Sequence, residues 1–177
     1  MNDDPRRLAG RSGRIPTYHL DRHRSLIVRI GPASPANGLH SQTVRPAGVL
    51  FDLDNSLIDR DGAFERWVET LGLPARDVAW LLHIDDSGRA PRAQVCARLS
   101  ARRPELGSPH AVWERMRAGI AAAVVPRPEV VAAVERIAKV ARVGVVTNGG
   151  GDNQREKLRR SGLDELMGEV IISGEVG

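Results

Sequence analysis

The sequence predicts an α/β domain: a Rossmann-like parallel sheet with an α-helical cap inserted after the first strand. Three observations carry that prediction. The apolar run at residues 47–51 ends in two carboxylates, Asp52 and Asp54. A second apolar run, residues 143–146, ends in Thr147, Asn148 and three glycines. Helical periodicity occupies most of the chain between the two runs and returns after them. Short unbroken apolar runs suit strands covered on both faces, and an order of strand, helix, strand is that of a parallel sheet joined by crossovers.

Composition is compatible with such a domain. The chain has 177 residues, 41% hydrophobic and 27% charged, which is enough to bury a core and typical of a globular protein. Aromatic residues are only 3%, so Val, Leu, Ala and Ile must fill that core. Cys96 is the single cysteine and cannot form an internal disulfide; it reads as a small packing residue in a protein of a reducing compartment. No apolar segment has the length of a signal-peptide core or a membrane span, so the expected location is cytoplasmic.

The formal net charge of +4 is distributed unevenly. Residues 1–46 contain eight arginines against Asp3, Asp4 and Asp21, which leaves the rest of the chain slightly acidic. Residues 1–45, rich in Gly, Pro, Ser and Arg, read as a disordered basic tail whose only apolar run is Leu26-Ile27-Val28. His19, His23 and His40 lie in this tail without the spacing of a metal site.

The elements follow in order. Residues 47–51 form the first strand. Phe64, Trp67, Val68 and Leu71 recur at helical spacing over 63–73, and Pro74 ends that helix. Further helices are predicted over 76–83, 91–102 and 109–124, with breaks at residues 85–88 and 105–108. Pro128 opens a helix with an apolar stripe of Val130, Val131, Val134, Ile137 and Val140. Residues 143–146 are the second strand; Asp152 is placed to cap a helix running to residue 160, with Gly162 past its end. Residues 169–172 form a third strand. The predicted core is thus 46–61 with 126–177, and 62–125 is the helical cap. His83, Trp67, Trp80 and Trp113 read as cap packing, whereas Arg60, Arg66 and His83 could equally face a ligand or solvent.

Ligands in open α/β sheets bind beyond the carboxyl ends of the strands, where Asp52, Asp54, Thr147 and Asn148 all fall. Carboxylates, carbonyls and water suit Mg²⁺, which takes one or two carboxylates together with a phosphate. A carboxylate can also attack phosphorus to give an acyl phosphate, while a second one protonates the leaving alcohol. The hydroxyl and N–H groups of residues 147–151 suit phosphoryl oxygens at a helix N-terminus. The alternative for the acids is a capped turn exposed to solvent, and for the glycines an ordinary turn.

The run Val49-Leu50-Phe51-Asp52-Leu53-Asp54-Asn55-Ser56-Leu57, with Val145-Val146-Thr147-Asn148-Gly149 downstream, resembles the haloacid-dehalogenase-like (HAD) superfamily, in the branch with a helical cap between these motifs. The resemblance covers residues 46–177. It implies Asp52 as nucleophile and Mg²⁺ ligand, and Asp54 as general acid/base that also binds Mg²⁺ through its backbone carbonyl. It further implies Thr147, Asn148 and Gly149 as phosphate-binding residues. Ser56 stands where the superfamily usually has Thr. A carboxylate at Asp54 points to a phosphatase, since members that cleave carbon–halogen bonds do not need to protonate an alkoxide. The resemblance also implies a third-motif Lys and fourth-motif acids, which this chain does not reach before Gly177; the chain is expected to be an N-terminal portion. Lys157, the one lysine downstream of Thr147, reads as a surface helix residue.

The expected function is Mg²⁺-dependent hydrolysis of a small phosphorylated metabolite through an aspartyl-phosphate. Two other readings stand beside it: an inactive relative that binds phosphate or a protein partner, and a binder of nucleic acid or another anionic surface through the arginine tail. Nucleic acid is the less expected partner, because charge runs alone are weak signals.

Overall fold

The computed structural model describes residues 28–30 and 48–176. Alternation along Gly48–Phe51 (β2) buries Val49 and Phe51, and the strand pairs in parallel with Arg142–Thr147 (β3) so that Val49 faces Val143 and Phe51 faces Val145. β3 in turn pairs in parallel with Glu169–Ile172 (β4), Thr147 facing Ile172. The other edge of β2 takes Val28–Ile30 (β1) antiparallel, with Val28 opposite Leu50, giving the order β1-β2-β3-β4.

β1 corrects the sequence reading at one point. Residues 1–45 read as a largely disordered tail, yet Val28–Ile30 within it forms a strand on the β2 edge away from β3. A bare strand edge presents unpaired N–H and C=O groups that any extended segment can satisfy, and Val-Arg-Ile is such a segment. The remainder of the expected tail, with its three histidines, lies outside the described residues.

Between β2 and β3 run Arg60–Glu69 (α1), Ala75–Asp85 (α2), Arg92–Arg102 (α3), Pro109–Ala122 (α4) and Pro128–Ala138 (α5); Gly151–Ser161 (α6) connects β3 to β4. α1 begins before the predicted start because Asp59 caps it, accepting from the Gly62 N–H at 2.9 Å. Ser108 caps α4 in the same way through the Ala111 N–H. Asp152 does not cap α6: the N-cap is Gly150, and Asp152 sits in the first turn, where its charge still favours the positive end of the helix dipole. Gly162 ends α6 in the left-handed conformation, φ 72°, as expected of a residue without Cβ. Val140 falls beyond α5 and is 64% exposed, so the apolar stripe ends at Ile137.

One apolar cluster runs from Val49, Phe51 and Val145 through Leu53, Phe64 and Trp67 to Leu99 and Met116. α4 is its central strut, packing on α1, α3 and α6. The contact with α1 is tight enough to require glycine: a Cβ on Gly119 would collide with the indole of Trp67. In a free helix, Gly119→Ala would gain about 1 kcal/mol of helix propensity. Here overpacking reverses the sign, and we expect Gly119→Ala to lose about 1–3 kcal/mol in urea unfolding. An increase in stability would show that α1 and α4 can part without cost.

Candidate active site

The site begins where β2 ends. Beyond Phe51 the carbonyl of Leu53 accepts from the N–H groups of Ser56, Leu57 and Ile58 at 3.3, 3.0 and 3.1 Å, closing a tight turn. Asn55 makes the turn possible by adopting a left-handed φ of 58°, and its Oδ1 accepts from the Asp61 N–H. Leu53 is wholly buried, and the residues on either side of it, Asp52 and Asp54, both line one cavity of about 530 Å³. Alternation thus puts one apolar anchor into the core and two carboxylates into a shared space.

Ser56 donates its hydroxyl to Asp52 Oδ2 at 3.0 Å. Burial pushes the Asp52 carboxyl above the ordinary aspartate range, with the Asp54 charge adding to the rise; the Ser56 and Leu53 hydrogen bonds and the charge of Lys157 oppose it. Thr147, at the end of β3, is buried in the same cavity wall. Its Oγ1 accepts from Gln154 Nε2 at 2.6 Å, which leaves its own hydroxyl proton to donate. Asn148 and Gly149 line the cavity, and the Gly149 N–H is given to Ser173 Oγ at 3.1 Å. The N-terminal turn of α6 opens onto the cavity through Gly150, Asn153 and Gln154.

Lys157 overturns its sequence reading. It is 4% exposed, not a surface residue, and its Nζ lies 2.8 Å from Asp54 Oδ1 and 2.9 Å from Oδ2. The cause is the face of α6 that meets the sheet: Gln154, Lys157, Leu158 and Ser161 are its buried residues, at i, i+3, i+4 and i+7. Burial draws the Lys157 ammonium below the ordinary lysine range, against the charge and hydrogen bonds of Asp54. Gln154, which the sequence analysis did not single out, adds a 3.2 Å contact to Asp54 Oδ2. The signal was present in the spacing, but both residues are polar and read as solvent-facing.

The opposite wall is built by the helices between β2 and β3. Arg60, left undecided by the sequence, is buried and donates through Nη2 to Asp85 Oδ1 at 3.0 Å. Arg92 pairs with the same carboxylate, and Asp85 also accepts from the Gly88 N–H. Both arginines line the cavity. Arg66 lies elsewhere, bonding the Ala123 carbonyl, and His83 is exposed. Trp113, expected only to pack, lines the cavity beside Met116 and Ile120. Cys96 is buried, and burial raises its thiol above the ordinary range, in keeping with a packing residue.

The donor set suits a hard cation. Among the described residues no three His, Cys, Asp or Glu side chains cluster as a metal cage. Mg²⁺ needs only one or two carboxylates when phosphoryl oxygens and water complete its shell. Because Lys157 and Gln154 occupy the Asp54 carboxylate, Asp52 is the carboxylate available to a metal.

Removing Asp85 would strand a buried guanidinium, so Asp85→Ala should cost about 3–5 kcal/mol in denaturant unfolding. Burial alone would raise the Asp85 carboxyl, but hydrogen bonds and charge from Arg60 and Arg92 hold it below the ordinary range. A depressed folded pKa stabilises fully above the ordinary aspartate value of about 4 and is lost as pH falls through the folded value. The wild type should therefore lose stability in that acidic window, and the gap between it and Asp85→Ala should narrow there. A gap constant down to the lowest pH would contradict the assignment.

The sequence matches no protein-family model and no curated protein. Its structure is similar to crystal structures of HAD-superfamily hydrolases. One is the HAD-hydrolase YfnB of Bacillus subtilis, bound to magnesium, with TM-score 0.54 and 20% identity over 70% of this chain and 62% of that one. Another is a subfamily IA HAD-superfamily hydrolase of Geobacter sulfurreducens, with TM-score 0.40 and 22% identity over 70% of this chain and 60% of that one. The chain spans about three fifths of the length of each. With its parallel β2-β3-β4 sheet, inserted helices and carboxylates at the strand ends, the chain has the HAD-like, Rossmann-type α/β fold.

Proposed function

We propose that the protein is a Mg²⁺-dependent hydrolase of phosphoric monoesters that acts on a small phosphorylated metabolite in the cytoplasm. The observation that carries this reading is the convergence of Asp52, Asp54 and Thr147 on one cavity at the carboxyl ends of β2 and β3. An Asp52 oxygen attacks phosphorus, and the bond to the leaving alcohol breaks as Asp54 gives that oxygen its proton. Asp54 then takes a proton from water, which attacks the acyl phosphate and releases orthophosphate and the Asp52 carboxylate. The Thr147 hydroxyl and the Asn148 side chain hold the phosphoryl oxygens. When bound at Asp52 and the Asp54 carbonyl, Mg²⁺ supplies positive charge that screens nucleophile from phosphate. The helical cap, residues 62–125, sets what the leaving group can be, through Trp113, Met116 and Ile120.

Hydrolysis of p-nitrophenyl phosphate should require Mg²⁺ and should fall at least about a thousandfold in Asp52→Asn, as for loss of a nucleophile. Brief reaction with labelled substrate should leave an acid-stable, hydroxylamine-labile phosphate on the wild type and none on the variant. Turnover undiminished in Asp52→Asn, or after chelation, would refute the proposal.

A further inference from the structure

The cavity contains a buried cation whose role the reading above leaves open. Lys157 reaches across from α6 to hold both oxygens of Asp54, 103 residues away in sequence. One turn earlier on the same face, Gln154 bridges Asp54 Oδ2 at 3.2 Å and Thr147 Oγ1 at 2.6 Å. A single turn of α6 therefore grips the second carboxylate and the hydroxyl at the end of β3 together. Removing an ammonium from water costs several kcal/mol that its partner need not return, so a buried lysine is poor evidence of a stabilising device. Its geometry speaks for orientation instead. Asp54 Oδ2 receives two donors, Lys157 and Gln154, while Oδ1 receives one. Oδ1, with one donor fewer, is thus the oxygen with more room to carry a proton.

We propose that Lys157, assisted by Gln154, is the positioning residue of Asp54, fixing the carboxylate so that Oδ1 delivers its proton to the leaving oxygen. The proposal rests on the phosphatase reading and refines it. In the step, the proton passes from Asp54 Oδ1 to the leaving oxygen as its bond to phosphorus breaks and the Asp52 oxygen bonds to phosphorus. Lys157 keeps its own protons and touches no reacting atom.

Leaving groups tell this role apart from a merely structural one. An alkoxide needs the proton, whereas p-nitrophenolate departs without it. Lys157→Met should lower kcat on a simple alkyl phosphate by about a hundredfold, the lower range of general acid catalysis, with KM little moved, and should lower kcat on p-nitrophenyl phosphate far less. In an Asp54→Asn background the same substitution should cost nothing further on the alkyl ester, because the group it positions is gone. Should Lys157→Met fail to fold, as judged by circular dichroism and melting, Lys157→Gln reads the same comparison with a polar replacement. Equal losses on both esters, or losses that add to those of Asp54→Asn, overturn the positioning role while leaving the phosphatase reading intact. A wild type that hydrolyses neither ester overturns the phosphatase reading, and the role of Lys157 with it.

Discussion

The parallel register of β2 on β3 is the constraint from which the site follows. With Phe51 opposite Val145, the chain leaves both strands at the same end of the sheet, so Asp52 and Thr147 emerge side by side although 94 residues of sequence lie between them. A parallel pair cannot be closed by a tight turn, and the long connection it demands is here filled by five helices. β4 extends the same register. Past Ile172, the Ser173 N–H bonds the Thr147 carbonyl at 3.0 Å and the Gly174 N–H bonds the Gly149 carbonyl at 3.1 Å. The loop after β3 is therefore braced from the neighbouring strand, and the Gly149 N–H is used for that bracing.

Charge in the cavity is balanced from two sides. Asp52 and Asp54 stand at its floor; Lys157 faces them from α6, and the Arg60–Asp85–Arg92 group from the helices between β2 and β3. Each of these cations is held by a carboxylate, and the Arg60–Asp85 pair is buried on both sides, where electrostatic interactions are stronger than at the surface. The arrangement places positive charge at the cavity that the fold already holds in position.

α4 joins the apolar and polar parts of the molecule. Its inner residues Val112, Met116 and Ile120 belong to the core, and Gly119 lets Trp67 of α1 approach closely. Met116 and Ile120 also reach the cavity with Trp113. Because the same helix face serves the core and the cavity, the shape of the cavity is limited by the packing of α4 on α1.

The sequence by itself determined the elements whose cause is local. Apolar runs mark β2, β3 and β4; helical spacing marks six helices; Asp52 directly follows β2 and Thr147 ends β3, with Asp54 in the turn just beyond β2. Local rules failed only at the margins, as with α1 opening at Arg60 behind its Asp59 cap rather than at Ala63, and Gly150 rather than Asp152 capping α6. What tertiary structure alone decided are pairings between distant residues: Val28–Ile30 on β2, Arg60 with Asp85, and Lys157 with Asp54. A lysine on a helix is written identically whether it faces water or an aspartate 103 positions earlier. The burial that separates the two outcomes depends on which face of α6 meets the sheet, and that is decided when Leu158 enters the core and carries Lys157 in beside it.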